Sequence, residues 1–347
     1  MRSVSRLNKF VGSGLLAAMV FAFFGCGNFN APMQTFASGS DLAKWITSLY
    51  IQITIWDSIV LAIVLIVLAL AIFVFSTREG DPTEPHEHES DLMLELAWTI
   101  APALILMFIT IPTVRTIMRT QPSKWPANAI TVQVHAHQWW WEFDYPGLHI
   151  ATGDEVHIPI NRVIHFELYS DDIIHSFWIP ALGGKRDVIP GQVNQITLIP
   201  SVTGEFYGQC AEFCGLSHAN MRFRMVVDTA DGFKQWVAAQ QAPPVEPQEA
   251  AAKNGEKIFK NAPCAICHTV RGISGFSKQY DYGFRGPDLT HFGSRGTLAG
   301  SIFDNNPKNL AMWIQDPEKV KPGARMPTLG LRGTDLHDLV AYLESLK

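Results

Sequence analysis

Cysteine is scarce in this chain, and the few positions it occupies exclude a disulfide-stapled fold. Among 347 residues there are five: Cys26 alone near the N-terminus, Cys210 and Cys214 four apart, and Cys264 and Cys267 in a C-x-x-C. Each has another use, so none is left for a structural bridge, and the core must come from apolar packing and bound groups. Charge is also sparse, at 17% of residues and a net −5. No basic footprint exists to hold a nucleic acid. The polar loop STREGDPTEPHEHES lacks a basic excess, so the positive-inside rule leaves orientation open. Its His86 and His88 alternate with glutamates and read as solvated. Apolar residues, at 47%, suffice both to bury cores and to cross a membrane. The length allows about two or three domains.

What is abundant is soft ligands in one stretch. Residues 205–225, EFYGQCAEFCGLSHANMRFRM, hold Cys210, Glu212, Cys214, His218 and Met221. Thiolate, imidazole and thioether together favour copper over hard cations. A single blue-copper ion uses one thiolate; two thiolates can bridge two ions. The second imidazole then comes from elsewhere, and His175 in DDIIHSFWIP is the best placed. Each copper would hold one histidine and both sulfurs, with Met221 and the Glu212 carbonyl as weak outer ligands. One electron shared by two metals halves the bond changes on reduction, which suits electron transfer and not substrate binding.

A second motif, Cys264-Ala-Ile-Cys267-His268, has the spacing of c-type haem attachment. Both thiols add to the haem vinyl groups and the adjacent imidazole reaches the iron. A redox dithiol needs the cysteines but not the histidine. With the preceding helical text KNGEKIFKNAPC, residues 251–347 read as an all-α class I cytochrome c.

Around these motifs the chain divides by pattern. Residues 1–25 read as an export signal, with Arg2, Arg6 and Lys9 before an apolar run. Cys26 after glycine reads as a lipidation site; Phe23 departs from the usual aliphatic residue, and an uncleaved span is the other reading. Within 26–119, apolar runs at about 56–75 and 92–114 are each long enough to span the membrane, and Pro102 is placed to bend the second. Residues 120–239 alternate apolar with polar over short segments, which predicts an all-β sandwich. His135, His137, His149, His157 and His165 lie in this strand-like text and read as structural. In Trp139-Trp140-Trp141 the alternation puts the outer two on one face and leaves at least one ring exposed. Residues 240–250, QQAPPVEPQEA, are a linker.

WTIAPALIL (98–106), HQWWWEF (137–143), HSFWIPALGGKRDVIPGQVNQITLIP (175–200) and YGQCAEFCGLSHANM (207–221) closely resemble subunit II of the haem–copper cytochrome oxidases, over roughly residues 45–230. With the haem motif, the whole resembles the fused, caa3-type form. The resemblance implies a cupredoxin-like domain with a binuclear copper A centre behind a two-helix transmembrane hairpin. It implies that electrons enter at Trp139 and that the Glu212 side chain reaches a magnesium or manganese ion at the interface with subunit I. Glu95 matches a glutamate at the mouth of a proton path; an interfacial carboxylate is the alternative. Met326 in GARMPTLG matches the distal haem ligand, preferred over His291 and over Met312, which is expected to pack in a core. Pro287 matches the proline beside the proximal histidine.

The implied function is passage of electrons from a donor, a cytochrome c or a quinol-oxidising complex, through haem c and copper A to haem a in subunit I. There oxygen is reduced to water with proton pumping. The expected partners are subunit I, subunit III and the membrane, and the expected location is the bacterial inner membrane, copper and haem domains outside. A copper A subunit of a nitric oxide reductase is an alternative. A copper-delivery protein would need no haem, and a nitrous oxide reductase would need a histidine-rich domain for which there is no room. Residues 121–240 carry 7 Lys and Arg against 12 Asp and Glu, and 251–347 carry 13 against 9. Opposite bias predicts electrostatic docking near Asp171, Asp172 and Trp139. With a tether supplying millimolar effective concentration, a weak exchanging contact suffices.

Overall fold

The first helix is tied to the β-domain before it goes anywhere else. In the computed structural model, which describes residues 31–75, 90–121, 124–275 and 285–347, it runs Asp41–Phe73. Cys26 with the export signal, and His86 with His88, lie outside the described residues. Ser40 caps the helix, accepting from Ala43 N, while its hydroxyl donates to the Leu182 carbonyl (2.5 Å). Gly39 N donates to Ala181 O, Asp41 N to Ile199 O, and Ile199 N to Asp41 Oδ1. The helix therefore begins well before the apolar run at 56. At 33 residues it is about 50 Å long, more than the ~30 Å hydrocarbon layer needs. The extra turns lie against the β-domain, with Leu42 and Ala43 buried and Ile46 packed on its core.

The second helix, Leu92–Thr120, is continuous through Pro102 and Pro112, with Asp91 as its N-cap. Trp56 and Phe108 stack between the two helices (5.8 Å), and the Arg119 guanidinium lies 3.9 Å over Trp45. Both helices are long and apolar enough to cross a membrane, and they form a hairpin that returns the chain to the β-domain.

That domain is a cupredoxin-like sandwich of two five-stranded sheets. One has the order β3 (Ile150–Gly153), β2 (Trp140–Tyr145), β1 (Ile130–His137), β5 (Ile164–Ser170), β8 (Asn194–Leu198). The other has β4 (Glu155–Pro159), β10 (Arg222–Asp228), β9 (Gly204–Cys210), β6 (His175–Trp178), β7 (Arg186–Val188). Alternation along each strand sends Trp141, Phe143, Phe177 and Phe223 between the sheets, with Phe177 and Phe223 stacked at 4.8 Å. Aromatic rings bury large areas in preferred edge and offset contacts, so this cluster holds the sheets together beneath the loop between β9 and β10. A helix, Ala230–Gln241, follows β10 and packs Trp236 against His157 (4.6 Å) and Tyr145 (5.4 Å). The sequence predicts an all-β domain to residue 239 and no helix within it. The i, i+3, i+4 spacing of Phe233, Trp236 and Val237 was the overlooked helical signal.

The C-terminal domain is all-α in its principal elements. Helices Ala250–Asn261, Pro307–Gln315 and Gly333–Ser345 enclose Phe259, Leu310, Ile314, Leu339 and Tyr342. The first and last cross at Gly255, where a Cβ would fall 1.9 Å from the Asp338 carbonyl oxygen.

The two domains touch over a broad face. Arg285 meets Glu142 (2.5 Å), Arg325 approaches Asp172 (3.8 Å), and Gly296 N donates to Glu155 Oε2 (2.9 Å). Arg224 pairs with Asp304 (3.3 Å) in the reverse sense, and Asp171 is engaged by His135 and His137 within its own domain. Neutral contacts join them: Ser301 Oγ donates to the Asp154 carbonyl, and a Cβ on Gly153 would overlap the Pro287 ring at 2.5 Å. Charge pairs of the predicted sense and neutral packing contacts therefore share this face. The fold also corrects the expectation of an exposed tryptophan. Trp139 stands in the turn between β1 and β2, where strand alternation does not apply, and is 9% exposed. Trp140 is half-buried and stacks on His137 at 4.4 Å.

Gly255→Ala should separate the crossing helices and cost about 1–3 kcal/mol. Chemical unfolding of the full chain in detergent, followed by circular dichroism, should show the C-terminal domain's transition at lower denaturant; an unmoved transition would mean the crossing adjusts freely.

Candidate metal centre and haem cavity

The metal-binding loop, residues 211–221, joins β9 to β10, and its neck is closed by a hydrogen bond from Cys210 N to the Met221 carbonyl (2.9 Å). Cys210 ends β9 beside β6, where Phe177 pairs with it, so His175 at the start of β6 arrives at the loop from the neighbouring strand. The two sulfurs are 3.7 Å apart. His175 Nδ1 lies 3.8 Å from Cys210 Sγ, His218 Nδ1 3.5 Å from Cys214 Sγ, and Met221 Sδ 3.8 Å from Cys214 Sγ. The Glu212 carbonyl is 3.2 Å from Cys210 Sγ, while the Glu212 side chain faces outward. Ligand atoms of His175, Cys210 and Cys214 all fall within 4.8 Å of one another, in buried residues.

Electrostatics fit a cationic occupant. The hydrogen bond between them pulls the Cys210 thiol well below its ordinary value, while that same bond, then burial, pushes Cys214 upward. One proton leaves readily and the other does not, because two bare thiolates this close repel. Positive metal charge between them removes the conflict. This donor set of two sulfurs, two imidazoles, a thioether and a carbonyl suits copper and no hard cation.

Groups behind the ligands hold them. Asp172 Oδ1 is 2.7 Å from His175 Nε2, fixing the ring so that Nδ1 faces the sulfurs. Asp172 Oδ2 accepts from Gln138 N (2.6 Å). Trp139 Nε1–H and Gln138 Nε2–H both donate to the Cys214 carbonyl (2.7 and 2.9 Å). The sequence reading assigned Asp172 only a surface charge. Its i, i+3 spacing to His175 was the available signal.

The second site is a cavity of about 300 Å³ lined by Cys264, Cys267, His268, Met326 and the apolar Leu310 and Ile314. One wall comes from the other domain: His137, Gln138, Trp139 and Trp140. The short helix Cys264–Cys267 puts both thiols on one face. His268 Nδ1–H donates to the Pro287 carbonyl (2.9 Å), leaving Nε2 for a metal, and burial lowers the imidazole's proton affinity so that it stays neutral. At Gly286 a Cβ would sit 2.5 Å from His268 Cε1, so the ring lies flat against bare backbone. Thiols, a preset imidazole, a thioether and apolar walls around one cavity fit a covalently bound haem.

His291 is buried with Nε2 2.8 Å from the Arg271 guanidinium and is not among the cavity's walls. Met312 departs from its expected core position: it is 39% exposed on Pro307–Gln315, whose Trp313 and Ile314 face the cavity instead. Glu95 lies exposed in the first turn of the second long helix.

Comparison with known proteins follows this division of the chain. Residues 28–116 match the family model for the transmembrane domain of cytochrome c oxidase subunit II, 148–230 that for its periplasmic domain, and 252–347 that for cytochrome c. A cytochrome c oxidase subunit 2 from Alkalihalophilus pseudofirmus is 35% identical over 310 residues, 88% of this chain and 88% of that one. One from Bacillus sp. PS3 is 37% identical over 289 residues, 79% and 80% of the two chains. The crystal structure of the periplasmic domain of the Bradyrhizobium japonicum subunit is 32% identical, covering 33% of this chain and 96% of that one, with a TM-score of 0.32. The chain belongs to the cytochrome c oxidase subunit II family, in the form that carries a cytochrome c domain at its C-terminal end.

Proposed function

We propose that this chain is the electron-accepting, non-catalytic subunit of a proton-pumping respiratory oxidase in a bacterial inner membrane, with its two globular domains on the periplasmic face. When bound, haem c and copper A supply one-electron chemistry that links an external donor to haem a and the oxygen-reducing site of subunit I. The observation that carries the reading is the cluster of buried Cys210, Cys214, His175 and Met221 with half-buried His218, and Trp139 hydrogen-bonded to the Cys214 carbonyl.

Each residue has a distinct task. Cys210, Cys214, His175 and His218 would hold the copper ions, with Met221 and the Glu212 carbonyl as weaker ligands. Trp139 admits electrons through its bond to the loop. Cys264 and Cys267 would hold the haem covalently, and His268 and Met326 would be the ligands of its iron. The outward Glu212 carboxylate is free to reach a magnesium or manganese ion shared with subunit I, where hard oxygen ligands are preferred. Glu95, at the start of a membrane helix, would serve as the entrance to a proton path, and Cys26, outside the described residues, would carry a lipid.

Cys210→Ser and Cys214→Ser should each abolish the mixed-valence copper signal in electron paramagnetic resonance while covalent haem remains. A copper–copper hyperfine pattern of normal strength in either variant would sink the bridging assignment. Glu212→Gln keeps the carbonyl and should release the hard ion before copper; metal analysis finding the opposite order would reverse the roles. Asp172→Asn weakens the hold on His175 and should lower copper affinity about 10–100-fold, read by competition with a chelator; unchanged affinity would make Asp172 a bystander.

A further inference from the structure

Segment 321–326, Lys-Pro-Gly-Ala-Arg-Met, belongs to the cytochrome domain but rests on the copper loop and its supports. Lys321 is 4% exposed, and its ammonium donates to the Trp139 carbonyl (2.5 Å) and the Ala299 carbonyl (3.1 Å). A buried ammonium is costly unless bonded. Here burial lowers its pKa to about 8 against the opposing pull of Asp154. The Pro322 carbonyl accepts from Ser217 Oγ (2.6 Å), a fully buried hydroxyl between Cys214 and His218. Gly323 has φ +81°, and a Cβ there would fall 2.6 Å from Trp139 Cη2 and 3.3 Å from Leu216 Cδ1. Only glycine meets both the conformation and the contact. Arg325 donates to Gln138 Oε1 (3.0 Å) and lies 3.8 Å from Asp172 Oδ2, part of the carboxylate that orients His175. The next residue is Met326, in the wall of the haem cavity.

The contacts are ordered along the chain, and they fall on groups that hold copper ligands in place. A thioether is a weak ligand on a flexible side chain, so its reach to iron depends on how firmly its backbone is fixed. Some of the fixing points are local, Gly323 N donating to the Glu318 carboxylate (3.0 Å) and Lys321 N to the Pro317 carbonyl (2.8 Å), but those at Trp139, Ser217 and Gln138 are in the neighbouring domain. We propose that segment 321–325 is a coupling strap: the copper loop holds it, and through it sets the position of Met326 at the haem iron. Lys321 and Gly323 are positioning residues for that ligand. The inference rests on the copper and haem assignments above and adds that haem ligation depends on the integrity of the copper loop.

The test uses the full chain in detergent, loaded with haem and copper. Three readouts are taken: covalent haem after denaturing electrophoresis, the copper–copper hyperfine pattern, and the near-infrared charge-transfer band that reports thioether bound to ferric iron. Lys321→Met and Gly323→Ala should keep the first two and lose most of the third, with a lower haem c midpoint potential; Lys321→Arg should recover part of the band. The double variant Ser217→Ala, Arg325→Gln removes two strap contacts without touching a buried charge or a strained backbone. It should weaken the band less, and it decides the matter if the first two variants do not accumulate. Haem and copper signals intact with an unmoved band and potential in every variant that accumulates would overturn the strap. Absence of covalent haem or of the copper pattern from the unaltered chain would instead overturn the assignments beneath it.

Discussion

Two buried sulfurs 3.7 Å apart cannot both carry full negative charge in a protein interior, and the sandwich is built around that conflict. The loop that holds them is pinned at its neck between adjacent antiparallel strands, so the sulfurs cannot drift apart to relieve it. Neighbouring β6 brings an imidazole to one sulfur, and the loop itself brings another imidazole and a thioether to the other. Behind these ligands stands a layer of backbone and carboxylate contacts, and behind that the aromatic core. Rigidity passes outward in that order, from strand pairing to loop neck to ligand.

The same carbonyls and rings that steady the copper loop also face the cytochrome domain. Trp139 gives its indole N–H to the Cys214 carbonyl and receives Lys321 on its own carbonyl, so one residue is held from both sides. The haem cavity has walls from two domains, and each domain is incomplete there without the other. The charge bias of the two halves appears in some contacts across the face, but Arg224 with Asp304 runs against it. Shape and buried hydrogen bonds carry more of the contact than net charge does.

Much of this was legible in the sequence, because ligand chemistry is local. Cys210, Cys214, His218 and Met221 fall within one loop, and Cys264, Cys267 and His268 within one turn, so spacing alone brought them together. His175 was reachable because a strand-like run delivered it. Lys321 and Gly323 were not legible: their partners in the copper domain lie more than a hundred residues away, and nothing local marks a lysine as buried or a glycine as seated on an indole. The tryptophan run misled because alternation holds only inside a strand, and Trp139 sits in a turn. The first helix was read too short because apolar run length reports membrane thickness, whereas its opening turns are held by the sandwich.

Those opening turns have a geometric consequence. Helix Asp41–Phe73 is bonded to the sandwich through Ser40 and Asp41 at one end and carries its apolar run at the other. A helix advances by about 100° and 1.5 Å with every residue. The number of residues between the bonded end and the bilayer therefore fixes the azimuth at which the sandwich faces its neighbours, as well as its distance from the lipid. One residue added there would swing the whole β-domain by about 100°, more than a quarter of a full circle, around the helix axis, so in this stretch changes of length weigh more than changes of residue type.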